Sequence, residues 1–145
     1  MRSVIVWLTI AASLAACDTS RPVSATDKAT LVQHENQWAA RSFHSYSFDY
    51  SEQQFTNSYN VHITVLNDTV ATVIDPQTGQ PPAVPRTWPT IDALFNEADF
   101  AAQESGITVS FEFDDQFGYI TLLSIQSTNA GSSFLARASN LHPLE

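Results

Sequence analysis

From Ser45 to Ser51 the chain alternates without a break, with Tyr46, Phe48 and Tyr50 on one side and Ser45, Ser47, Asp49 and Ser51 on the other. A period of two marks a strand with one buried face. The same rhythm returns between Ile107 and Phe113, where Ile107, Val109, Phe111 and Phe113 alternate with Thr108, Ser110 and Glu112. Asn60 to Leu66 and Thr69 to Asp75 flank Asn67-Asp68, two residues that tolerate positive φ. A β-hairpin is expected there, with Val61, Ile63 and Val65 on its buried face. Asp114 to Gly118 makes a turn into a strand over Tyr119 to Gln126, and Phe134 to Asn140 reads as a last strand at the sheet edge.

Two other stretches keep a helical period. Leu31, His34, Glu35 and Trp38 fall on one face of a helix capped by Thr26 or Asp27 and ending near Arg41. The second is cleaner, with Ile91, Leu94, Phe95 and Ala98 at i, i+3, i+4 and i+7, Thr90 as its cap and Gly106 beyond its end. Between hairpin and second helix, Pro76 to Pro89 holds five of the seven prolines. Proline removes backbone donors, so this crossover is expected to lack regular structure. The element order is αβββ-αβββ. Short turns between strands imply an α+β fold in which two helices pack on one face of an antiparallel sheet. Ser47-Phe48-Asp49-Tyr50 is echoed by Ser110-Phe111-Glu112-Phe113, which hints at a duplication and gives Phe48 and Phe111 equal standing in a shared core.

The first residues follow a different logic. Met1-Arg2-Ser3 supplies one cation, Val4 to Ala12 an apolar run, and Leu14-Ala15-Ala16 a small-residue cleavage site before Cys17. This is the layout of a secretory signal. The box ending in cysteine resembles the bacterial lipoprotein signal, in which the thiol takes a diacylglyceryl group and the chain is cut before it. The apolar run is shorter than the ~20 residues needed to span a bilayer. A division follows into a signal over residues 1–16, a lipidated Cys17 and flexible tether over 17–29, and a single α+β domain over 30–145. Asp18, next to the lipidated residue, resembles the signal that holds enterobacterial lipoproteins in the inner membrane.

Composition narrows the partners. Removing residues 1–16 leaves 129 residues, five basic against fifteen acidic, for a net charge near −10. Such a surface disfavours nucleic acid and anionic headgroups. Cys17 is the only cysteine, so the domain forms no internal disulfide and depends on packing.

Candidate chemistry is sparse. His34, His44, His62 and His142 show neither the His-x-x-x-His nor the His-x-His spacing that brings two imidazoles to one metal. Glu112, Asp114 and Asp115 are the densest carboxylates, but the alternating calcium-loop pattern is missing, so a solvated turn is expected. There is no Gly-x-Ser-x-Gly elbow, no Ser-x-x-Lys, no P-loop and no dinucleotide fingerprint. Catalytic, metal and cofactor residues are therefore expected to be none. The aromatic set Trp38, Tyr46, Phe48, Tyr50, Phe95, Phe111 and Phe113 lies on the inward faces and reads as core. Trp88 differs, because no periodicity around it demands burial. It is the candidate surface contact, the alternative being a lid residue packed on the second helix.

Gln37-Trp38, His44 to Tyr50, Val70 to Pro81, Thr90 to Phe95 and Val109 to Ile120 together resemble the bacterial domain of unknown function 6174 family, across roughly Leu31 to Leu141. Many members of that family carry cysteines just after the first strand. Here Gln53-Gln54-Phe55-Thr56 stands there instead, so a redox or disulfide role is not implied for this chain. The expected function is that of a cell-envelope lipoprotein, held to a membrane by its lipid, that serves as a non-enzymatic binding or accessory module, with an envelope protein as a candidate partner. The alternative is a small periplasmic hydrolase or metal-dependent enzyme lacking a recognisable motif.

Overall fold

The computed structural model describes residues 25–128 and 131–145; the lipobox, Cys17 and Asp18 lie outside the described residues. In chain order the elements are α1 (Ala25–Ala39), β1 (Tyr46–Gln54), β2 (Asn57–Leu66), β3 (Thr69–Ile74), α2 (Ile91–Gln103), β4 (Ile107–Phe113), β5 (Ile120–Ser127) and β6 (Ser133–Pro143). Among the described residues, two helices and a six-stranded sheet with every pairing antiparallel make an α+β fold.

Local chemistry accounts for several boundaries. Asn67 and Asp68 both adopt positive φ (49° and 60°), giving the expected two-residue hairpin between β2 and β3. Thr90 caps α2, its hydroxyl accepting a hydrogen bond from the Ala93 N–H at 3.2 Å. Gly118 closes the turn into β5 at φ 77°, and a Cβ there would come within 2.9 Å of the Gln37 side chain. Gln37 fills that space to donate to the Asp115 and Gln116 carbonyls, tying α1 to the turn.

The strand order is β3-β2-β1-β6-β5-β4. The last strand is therefore not an edge, as its place in the sequence suggested. It enters the middle of the sheet and pairs with both β1 and β5, joining the two three-strand units through β1 and β6. The edges are β3 and β4. At a spacing of about 4.8 Å per strand, the connection from β3 to β4 must cross roughly 24 Å of sheet. The proline-rich segment makes the first part of that crossing and α2 the second, against β4 and β5.

This order also separates the two strands that echo each other in sequence. β1 is central and β4 is an edge, so Phe48 is fully buried while Phe111 is only half-buried and packs against the core from outside. The inward row of β1 is Tyr46, Phe48 and Tyr50, facing Val61, Ile63 and Val65 of β2. Helix residues Leu31, Trp38, Ile91, Leu94, Phe95 and Ala98 complete the same core. Trp38 meets Tyr46 edge to face at 5.3 Å, and the Ile91 N–H donates to the Tyr46 hydroxyl at 3.2 Å. Both α1 and α2 thus reach the inward row.

One charged cluster locks the end of α1. Arg41, its side chain only 6% exposed, donates to Asp68 at 2.6 Å and Asp92 at 3.3 Å and lies 4.0 Å over the Trp38 ring. The Trp38 indole N–H in turn donates to Asp92 at 3.2 Å. The β2–β3 turn and the first turn of α2 are held to α1 by these contacts. The acidic Asp92 also suits the positive end of α2.

Candidate functional site

β1 runs three residues beyond Ser51, the last residue of the alternation read as strand, and that extension builds the site. Parity puts Glu52 in the inward row after Tyr46, Phe48 and Tyr50, where it is 4% exposed. A carboxylate there needs partners, because burying an unpaired charge is costly. The partner is Arg86, 34 residues away in the crossover, whose two terminal nitrogens reach Glu52 Oε1 at 2.9 Å and Oε2 at 2.8 Å. The Tyr50 hydroxyl donates to Oε2 at 2.7 Å. Burial alone would raise the Glu52 carboxyl, but the hydrogen bonds from Arg86 and Tyr50 outweigh it and hold the group below its ordinary value. The same burial, with the bond to Glu52, pushes the Tyr50 phenol well above its usual range.

Arg86 is itself held between rings. Its guanidinium lies 4.8 Å from the Tyr59 centroid and 4.7 Å from that of Trp88, and those two rings meet edge to face at 5.7 Å. Trp88 also meets Tyr50 edge to face at 6.5 Å. Trp88 is accordingly half-buried, with its ring against Tyr50 and Tyr59 of the β1–β2 hairpin.

Beneath this segment opens a cleft of about 540 Å³, with Tyr50, Glu52, Arg86 and Trp88 on one side and Leu94, Glu97 and Phe134 among its other walls. Ser127, Ser132 and Ser133 line it with hydroxyls. At the rim stands Phe55, the first residue of the two-residue turn joining β1 to β2. Phe55 is 67% exposed and sits at φ 54°, a conformation that Gly or Asn adopts at ease and a bulky side chain does not. A strained, exposed aromatic at the mouth of a cleft is a place where local stability has been given up.

The other residues singled out from the sequence are dispersed. His34 stacks on Phe113 at 4.0 Å. His44 pairs with Asp68 at 2.7 Å on the exposed β2–β3 turn. Asp114 accepts from the Gln116 and Phe117 N–H groups and so serves its own turn. On the outward row, Asp49 binds His62 at 2.8 Å across β1 and β2. Its other oxygen accepts from Asn140 at 2.8 Å, at a bulge of β6 where Asn140 has φ 52°. Burial pulls the Asp49 carboxyl up, but Asn140 and His62 together bring it below its ordinary value. Among the cleft residues not singled out from the sequence, Glu52, Arg86 and Phe55 make up the ion pair and the exposed aromatic. The parity of β1 marks Glu52; nothing local marks the other two.

Fold and site together define an antiparallel α+β domain with an aromatic-rimmed cleft under its crossover. The chain belongs to DUF6174, a family of unknown function, which it matches over residues 30–139. No curated protein and no solved structure matches it. Among the described residues, no helix is long and apolar enough to cross a membrane.

Proposed function

We propose that this protein is a lipid-anchored protein of the bacterial cell envelope whose domain binds a small ligand in the cleft beneath the crossover, without catalysing a reaction. The observation that carries the binding reading is the 540 Å³ cleft, a volume in the range of small-molecule sites, rimmed by Trp88 and the strained, exposed Phe55. Trp88 is on this reading a ligand contact as well as a packing residue. The absence of catalysis is supported by the state of Glu52. Its carboxylate already accepts three hydrogen bonds and is held below its ordinary value, so it is a poor proton acceptor.

The anchoring half rests on the sequence alone. Leu14-Ala15-Ala16 before Cys17 supports diacylglyceryl attachment there, and Asp18 favours retention in the inner membrane with the domain facing the periplasm. Eight residue steps from Cys17 to Ala25 reach at most roughly 28 Å, so the domain stays near its membrane. We further infer that α1 and α2 cover a single face of the sheet. That arrangement leaves the outward row with Asp49 and His62 to solvent or to an envelope partner.

The test is to purify the full chain and identify by mass spectrometry the small molecules that come with it. Ala93 lines the cleft from the exposed side of α2, so Ala93→Trp fills the space with little cost to the core. A molecule retained by the wild type and lost in Ala93→Trp supports the reading. Equal retention by both overturns it.

A further inference from the structure

Resting on the cleft as the binding site, we infer that its ligand is an organic cation, an amine or quaternary ammonium carried on an apolar body. The charge inventory of the lining sets the direction. It holds Glu52, Glu97 and a single Arg86. Arg86 is committed to Glu52 through both terminal nitrogens, so the pair cancels. Glu97 remains, on the exposed side of α2, close enough for its charge to be felt at the Tyr50 hydroxyl, and without a hydrogen bond or ion pair among the described residues. A ligand that fills the cleft against α2 strips water from that carboxylate. A cation repays the loss; a neutral body does not, and an anion adds repulsion.

The rings in and beside the cleft point the same way. Tyr59 and Trp88 already hold one cation, the Arg86 guanidinium, at 4.8 and 4.7 Å. Phe55 and Phe134 are two further rings of the lining. Ring faces attract ammonium groups, most strongly where water is displaced. An anion would meet one cation, Arg86, whose charge Glu52 already balances, and claiming the two N–H groups bonded to Glu52 would leave that carboxylate buried with Tyr50 as its remaining donor. The net charge of the chain, −9, draws cations toward the protein and disperses anions.

Three probes on one body separate the cases: 2-phenylethylammonium, 2-phenylethanol and phenylacetate. Each is titrated by calorimetry at pH 7 into the full chain in a non-ionic detergent. The ammonium is expected to bind about tenfold tighter than the alcohol, with phenylacetate weakest, and to weaken as salt rises. Glu97→Gln should bring ammonium and alcohol close to parity, and Trp88→Ala should weaken both. Binding of the alcohol or phenylacetate as tight as that of the ammonium overturns the cation inference while leaving the cleft as a binding site. So does a preference unmoved by Glu97→Gln. If no probe binds, the cation inference fails. If Ala93→Trp then also leaves every co-purified molecule in place, the cleft reading fails with it.

Discussion

Replacing Arg86 by Met asks what holds a carboxylate in the inward row of a sheet. Methionine keeps most of the apolar stem of arginine and removes both hydrogen bonds to Glu52. Glu52, 4% exposed, is then left with the Tyr50 hydroxyl alone. Removing one partner of a buried ion pair typically costs ~3–5 kcal/mol. The Arg86 side chain is 27% exposed, so water can enter from its side, and we expect about 3 kcal/mol, the low end of that range. The pH dependence makes the test specific. In the wild type the Glu52 carboxyl lies below its ordinary value of 4.5, so its contribution is present above that value and is lost as pH falls through the folded one. In Arg86→Met burial dominates and the carboxyl rises, so the variant loses stability as pH climbs through the raised value. The penalty should therefore be largest near pH 7 and shrink toward about 1 kcal/mol near pH 4. Urea melts of the full chain at both values measure it. Glu52→Gln in the Arg86→Met background should restore most of the loss at neutral pH. A penalty that stays flat with pH, or a double variant whose losses simply add, would show that the ion pair is not what Arg86 contributes.

Phe55→Gly relieves a left-handed backbone position and should raise stability by about 0.5–1 kcal/mol in thermal melts, while reducing the amount of ligand that co-purifies. A loss of stability would mean that the Phe55 ring packs more than its exposure indicates. Phe48→Ala should cost ~3–5 kcal/mol and the half-buried Phe111→Ala about 1–2, with Ser110→Ala within about half a kcal/mol; equal costs at the two phenylalanines would contradict their central and edge places. Cys17→Ser should leave an uncut precursor that takes up no radiolabelled palmitate, and labelling equal to that of the wild type would remove the lipid anchor.

What could be read from the sequence divides along range. The alternation of β1 and β4, the Asn67-Asp68 hairpin and the Thr90 cap are set within a few residues of each other, and they appear in the structure as that local chemistry requires. The position of β6 is not a local property. Its run after a polar loop gives strand and length, but whether it lies at an edge or between β1 and β5 depends on partners some 90 residues away, as in the pairing of Asp49 with Ser139. Its inward Ala136 and Ala138 carried a signal, since small residues suit a strand crowded on both sides. The likeness of Ser47–Tyr50 to Ser110–Phe113 pointed to equivalent places in the two units; the strand order keeps β1 and β4 at the same end of each three-strand run but puts β1 at the centre of the sheet and β4 at its edge.

The site shows the same limit in sharper form. Trp88 stood out because no period explained it, and it does line the cleft. Glu52 stood in plain view at the next inward step after Tyr50, yet a charged residue there reads most simply as the end of a strand. It is the opposite. The strand continues to Gln54, paired on both sides with β2 and β6, and Arg86 of the crossover neutralises the charge. The carboxylate therefore fixes the path of the segment that roofs the cleft. A stretch without regular structure is given a defined position by one ion pair and two rings, and the space beneath it stays open because the chain bridges that space instead of packing into it. On this argument the buried pair is there to specify a shape more than to add stability, which is why its removal should disturb ligand retention even where Glu52→Gln restores the melt.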